Sequence, residues 1–299
     1  MIRIAVVGSR GRLGAAVARF LESEPGYSVT RVSRDDLDLS DLRVVEDVIG
    51  GLEFDLLFNS AALTAVDFCE GEEELAMTVN ADAPGKMAEI AASKGARMIH
   101  VGTDYVYGGE EDAPRCEGDL ALPKSAYGRS KLAGDEKVMA VDPEFLVIRT
   151  SWVFGPDRPS FLDMMLDRAR EHEVVAAVAD KVSTPCYSED FGKLLVSLIG
   201  VEGAGGLVNL CNSGSCSWQQ YAQVGLDSLV ACGVPVKTEH IGAVGLANMT
   251  QFVAPRPVFT AMSTEHFHEI TGVKPRPWQE AVDTYVRDHY AKRLQVSGT

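Results

Sequence analysis

The sequence has no Cys-x-x-Cys pair, no apolar run long enough to cross a bilayer and little positive charge. Each absence excludes something. The six cysteines, at 69, 116, 186, 211, 216 and 232, are scattered, so neither a zinc site nor a disulfide framework is expected, and they read as reduced thiols. The net charge of −15 comes from 43 acidic against 28 basic residues. It argues against a nucleic-acid binder, which would carry a basic face. It leaves an anionic small molecule open, because a local pocket can be positive on an acidic protein. A membrane-spanning helix needs about 20 apolar residues in a row, and the chain holds no such run. The opening MIRIAVVGSRGRLG has a short apolar run leading into a glycine turn and does not read as a secretory leader. A cytoplasmic protein with neither membrane nor nucleic-acid partners is expected.

What is present is alternation. Short apolar runs at 2–7, 28–32, 55–59, 97–101 and 145–149 read as buried strands. Helical spacing fills 12–22, 42–49, 72–94 with a break near Pro84, and 126–140. Strands alternating with helices imply right-handed crossovers and an α/β fold with a doubly wound parallel sheet. After about Gly155 the pattern loosens. Helices are expected at 161–170, 189–199, 218–231 and 278–291, with short strands at 174–178 and 207–210. The division read from this is 1–155 for a dinucleotide-binding domain and 156–299 for mainly a smaller α/β C-terminal substrate lobe, with some of its segments returning to the first domain.

VVGSRGRLG sets Gly8, Gly11 and Gly14 between the first strand and the first helix. In that context glycines let the backbone turn tightly and approach a pyrophosphate, while the helix N-terminus offers unpaired N–H groups. The first half therefore reads as a Rossmann domain for NADPH or NADH. An arginine after the second strand would suit a 2′-phosphate and an acid a free ribose. Arg34, with Arg10 and Arg12 nearby, favours NADPH, while Asp35 and Asp36 leave NADH open. Asp38 and Leu39 are placed beside the adenine, unless Asp38 serves only to cap the next helix. The small residues Asn59-Ser60-Ala61-Ala62 at the third strand's end leave room for a ligand across the sheet.

The fourth strand runs into HVGTDYVYGG, which places Thr103 where open α/β sheets put their chemistry. On the next helix, in AYGRSK, Tyr127 and Lys131 stand four residues apart and share a face. A nearby ammonium favours a phenolate, so Tyr127 reads as a proton donor or acceptor tuned by Lys131, with the Thr103 hydroxyl holding a carbonyl oxygen.

The glycine turn, NSAALTAVD (59–67), VNAD (79–82), GTDYVYGG (102–109), AYGRSK (126–131), IRTSWVFGP (148–156), ADKVSTPCYSEDF (179–191) and PRPVFTAMS (255–263) occur in an order that resembles the extended short-chain dehydrogenase/reductases, and among them the dTDP-4-dehydrorhamnose reductase family, over nearly the whole chain. The resemblance implies reduction of the C4 ketone of a nucleotide-linked 6-deoxy-sugar by NAD(P)H. It makes Tyr127 the proton donor, Lys131 its partner and a ribose ligand, Thr103 the carbonyl-orienting hydroxyl and Asn80 part of a proton relay. It adds Leu13, Ala61, Ala62 and Leu63 to the cofactor contacts. It gives the sugar nucleotide to Thr64, Val66, Thr103, Asp104, Tyr105, Trp152 and Arg256, the last near the diphosphate. Gly102, Ser60 and Leu63 depart from the family's usual serine, alanine and aromatic or histidine. Ala15-Ala16 stand where some members carry an acid for an intersubunit magnesium ion. No metal is therefore expected, and the assembly is read as monomer or homodimer. Two alternatives remain: a nucleotide-sugar epimerase, and a non-catalytic dinucleotide-binding regulatory subunit of methionine adenosyltransferase. A dehydratase would carry an Asp-Glu pair beside the threonine, where this chain has Asp104-Tyr105.

Overall fold

The computed structural model describes residues 1–110 and 112–297. Strand β1 (Ile2–Val7) is buried from Ile4 onward, as its β-branched run requires of a strand covered on both faces. It pairs in parallel with β2 (Tyr27–Val32) and β3 (Leu56–Asn59). Strands β4 (Arg97–Thr103) and β5 (Leu146–Thr150) extend the sheet beyond β3. The strand Gly206–Asn209 closes that edge, giving the order β2, β1, β3, β4, β5 and 206–209, parallel throughout. The order reverses between β1 and β3, the switch point at which open sheets bind ligands.

Successive residues of β1 serve opposite cores. Ile4 and Val6 pack with α1 (Arg12–Ser23) and the helix Ser188–Ile199. Ala5 and Val7 pack with α2 (Leu42–Gly50) and, further along the chain, with Met87 and Val138. The stretch expected to be helical over 72–94 with a break near Pro84 is divided differently. Short α3 (Val66–Gly71) and α4 (Glu73–Met77) lead to a π turn at Thr78–Asp82, and then α5 (Ala83–Ser93) begins. Pro84 lies in the first turn of α5, directly after the π turn, whose backbone runs into the helix without a cap. Helix α6 (Ala126–Val141) follows β4 and starts at the Ser125 cap.

A second hydrophobic core runs from Phe154 to Ala291 and is built by the helices Phe161–Glu171, Trp218–Ala231 and Trp278–Tyr285. The helix Ser188–Ile199 leaves it to pack on α1, where Gly192 lies against Phe20. The expected strand at 174–178 is the shorter Ala176–Val178, and residues 298–299 of the expected second lobe lie outside the described residues. Among the described residues no helix is long and apolar enough to cross a membrane.

Candidate active site

A cleft of about 860 Å³ opens at the carboxyl ends of β1, β3 and β4. Its floor is the glycine turn. Gly8 has φ +83°, and a Cβ there would lie 2.8 Å from Ala61 N. A Cβ on Gly14 would lie 2.3 Å from the Gly8 carbonyl oxygen. Gly11 N–H closes the turn on that same oxygen at 2.8 Å. Helix α1 has no side-chain cap, so the N–H groups of Arg12, Leu13 and Gly14 have no partner within it. A cradle that any Cβ would fill, ending on free helix N–H groups, fits the pyrophosphate of a dinucleotide.

The charges around this cradle are arranged differently from the expectation. Arg10, Arg12, Arg34, Asp38 and Leu39 all line the cleft. Arg12 is turned to the carbonyls of Val153 and Arg158, at 3.1 and 3.2 Å, and to that of Pro159. It thereby ties the glycine turn to the loop after β5. Arg10 is paired with Asp35. Asp36 accepts from the Ser33 N–H and hydroxyl at 2.8 and 2.7 Å, and Asp38 accepts from those of Ser40 at 2.9 and 2.7 Å. Each acid after β2 is thus engaged locally, while exposed Arg34 stands at the cleft wall.

At the other end, Thr103 ends β4 and Tyr127 and Lys131 rise from the first turns of α6. All three are buried and line the cleft. The Thr103 hydroxyl donates to Asp104 Oδ1 at 3.2 Å. Burial pushes the Tyr127 phenol above its ordinary value, outweighing the lowering by Thr103 beside it. The Tyr105 ring meets Tyr127 edge-on, with centroids 5.5 Å apart. The geometry differs from the expectation that a Lys131 ammonium acidifies the phenol. Lys131 Nζ donates to the Val101 carbonyl at 2.7 Å and lies 3.1 Å from His100 Nε2. Burial pushes it down to about 8, with the Asp135 carboxylate opposing.

Ala61, Ala62, Leu63, Thr64 and Val66 line the cleft between these two ends, as do Asp104, Tyr105 and Trp152. Asp104 is nearly fully buried and accepts from the hydroxyls of Ser183 at 2.8 Å and Thr260 at 2.6 Å. It joins β4 to two distant segments, and burial raises its carboxyl. Trp152 has φ +41°, a left-handed conformation unusual for a bulky residue. Its ring stacks 6.1 Å from that of Tyr221 and sits 5.9 Å from that of Trp218.

Two expected site residues are not brought to the cleft. Asn80 is fully buried. Its amide accepts from Leu63 N–H at 2.8 Å and donates to the Leu63 carbonyl and the Ser130 hydroxyl, both at 3.0 Å. It braces the Leu63 segment. Arg256 forks onto Asp67 with two contacts of 2.7 Å and lies 4.5 Å over the Phe252 ring. Asp67 also accepts from the N–H groups of Val253 and Ala254. The arginine therefore latches its own segment to α3 instead of facing the cleft.

Residues missed in the sequence include Arg158, in the loop after β5, and Phe161, Trp218 and Tyr221 of the second core, all of which line the cleft. Only the capping box of Ser217 and Gln220 signals anything there, and it marks a helix start, not a ligand. The Gly102 departure has a steric reason. A Cβ there would lie 2.9 Å from Asp135 Oδ1 and 3.0 Å from Arg149 Cγ, inside a buried ion pair.

A family described as the RmlD substrate binding domain matches residues 2–291. The spore coat polysaccharide biosynthesis protein SpsK of Bacillus subtilis is 32% identical over 96% of this chain and 98% of its own. The dTDP-4-dehydrorhamnose reductase of Mycolicibacterium smegmatis is 32% identical over 95% of this chain and 85% of its own. The crystal structure of dTDP-4-dehydrorhamnose reductase from Bacillus anthracis in complex with NADP is similar at a TM-score of 0.85 and 25% identity, over 96% of this chain and 98% of that one. With the glycine cradle, the Thr103–Tyr127–Lys131 group and a likeness that runs from end to end, the chain belongs to the dTDP-4-dehydrorhamnose reductase family, the family of the RmlD substrate binding domain.

Proposed function

We propose that the protein is an NADPH-dependent reductase of the C4 ketone of a nucleotide-linked 6-deoxy-sugar, and that it converts dTDP-4-dehydro-L-rhamnose to dTDP-L-rhamnose. The reading is carried by one observation: a buried phenol and a threonine hydroxyl that line the same cleft, which begins at a dinucleotide cradle. The names of the full-length relatives support the substrate. The NADP complex of the Bacillus anthracis protein and the position of Arg34, with the acids after β2 already engaged, support NADPH over NADH.

The bound dinucleotide would supply the hydride that reduces the carbonyl carbon. The N–H groups at the start of α1 hold its pyrophosphate. Thr103 orients the carbonyl oxygen, and Tyr127 gives that oxygen its proton as negative charge develops there. Trp152 and Trp218 present flat apolar walls to the sugar nucleotide and keep water from the reacting atoms.

Purified protein given NADPH and dTDP-4-dehydrorhamnose is expected to oxidise one NADPH for each sugar reduced. Conversion of the sugar without net loss of NADPH absorbance would instead mark an epimerase, and no conversion would remove the reading.

A further inference from the structure

Arg12 and Arg158 tie the glycine turn and the loop after β5 to one another. The three guanidinium nitrogens of Arg12 are engaged by the carbonyls of Arg158, Val153 and Pro159, which fixes the Arg158 backbone. Arg158 Nε donates in return to the Arg10 carbonyl at 2.9 Å. Arg10 stands in the glycine turn between Gly8 and Gly11, so the Arg158 guanidinium sits at the rim of the pyrophosphate cradle, and it lines the same cleft. Its two terminal nitrogens have no hydrogen bond or ion pair among the described residues. The acid beside it in the chain, Asp157, is drawn to Arg19 by contacts of 2.7 and 3.1 Å, and Arg10 is paired with Asp35. Burial lowers Arg12, and the charge of Arg158 lowers it further, as a nearby like charge does. An anion beside the two cations would offset that repulsion.

We propose that Arg158 is a cofactor-binding residue: its terminal N–H groups donate to the pyrophosphate of NADPH or NADH, alongside the N–H groups that open α1. The inference rests on the reductase reading of the cleft, which supplies the dinucleotide. A helix N-terminus offers a phosphate only partial charge, whereas a guanidinium adds a full charge and a fork of donors matched to phosphate oxygens. The role differs from that of Arg34. Arg34 follows β2, where an arginine suits the 2′-phosphate that only NADPH carries. The pyrophosphate is common to both dinucleotides, so Arg158 sets the affinity for each and the preference for neither. Its placement precedes the ligand, because Arg12 holds its carbonyl and Arg10 its Nε, which spares the cost of ordering a long side chain on binding.

Titration of the full chain with NADPH, NADH and ADP-ribose, followed by calorimetry and without any sugar, tests this directly. In Arg158→Gln the side-chain amide nitrogen takes the place of Nε, so the bond to the Arg10 carbonyl can persist while the charge and the terminal nitrogens are gone. The dissociation constants of NADPH and NADH should rise by the same factor, about tenfold, and the loss should shrink as salt is added. ADP-ribose has the pyrophosphate but neither nicotinamide nor 2′-phosphate, and it should weaken equally. Arg158→Lys keeps a charge and should recover part of the affinity. Unchanged affinities in folded Arg158→Gln would reduce the arginine to a strap and overturn the proposal. So would a loss confined to NADPH, which would put the guanidinium at the 2′-phosphate, or weaker binding of dTDP with ADP-ribose unaffected, which would put it on the sugar nucleotide. These titrations read no turnover, so a protein that binds dinucleotides through Arg158 yet reduces no sugar would remove the reductase reading alone.

Discussion

At Tyr127, desolvation of a phenolate outweighs the influence of the Thr103 hydroxyl, so the residue meets a substrate with its proton on. Tyr127→Phe removes that proton and keeps the ring. Turnover should fall by about 10²–10⁴-fold, with NADPH affinity retained, as fluorescence titration would show. Arg34→Asp should reverse the cofactor preference, weakening NADPH while sparing NADH, in the same titration. The Tyr-x-x-x-Lys spacing shows in the sequence that the two side chains share a helix face. It does not show their charges, because these depend on how deeply the folded chain buries the two groups. The same limit applies after β2. Arg10 and Asp35 lie 25 positions apart and neutralise one another only once the turn is folded.

At the scale of elements, close approach is the recurring device. Helix α6 meets the π turn at Gly134, where a Cβ would lie 2.1 Å from the Asn80 carbonyl oxygen. Gly134→Ala should cost about 1–3 kcal/mol by overpacking, measured by urea unfolding, and should disturb Leu63 through Asn80. The Asp67–Arg256 fork holds 253–256 to α3. Hydrogen bonds from Arg256 hold the Asp67 carboxyl down to about 2. A depressed carboxyl contributes fully above its unfolded value near pH ~4 and loses that contribution as pH falls through the folded one. The pair is partly open to solvent, so Asp67→Asn should cost about 1 kcal/mol or less at neutral pH and flatten the acid limb of the stability curve. It should also raise KM for the sugar nucleotide, because the 252–256 segment carries Phe252, which packs against Trp218 of the cleft wall. The strand–turn–helix start was readable because glycine is the only residue that fits there. The π turn and the Asp67 latch were not, because each depends on contacts between segments far apart in the chain.

In the whole molecule, two cores share one cleft. The sheet and its helices contribute the cradle and the proton donor, and the core around Phe154 contributes the aromatic wall. The alternation of the first half made the parallel sheet legible, since short strands rich in Val, Ile and Leu there are bounded by helical spacing. The second half returns a helix and an edge strand to the first core, and short segments of two to four residues carry too little pattern to reveal such a path. A ligand held between two cores should stabilise both. NADPH at a hundredfold excess over its Kd should add about 2.7 kcal/mol, visible as a rise in melting temperature that exceeds the rise with NADH.

The most direct test of hydride and proton delivery in this cleft uses NADPH deuterated at the transferable position, with dTDP-4-dehydrorhamnose and the purified protein. One deuterium at C4 of the product for each NADPH oxidised, with the label lost in Tyr127→Phe because turnover is lost, is the expected result. Product formed without deuterium at C4, or formed equally fast by Tyr127→Phe, would contradict it.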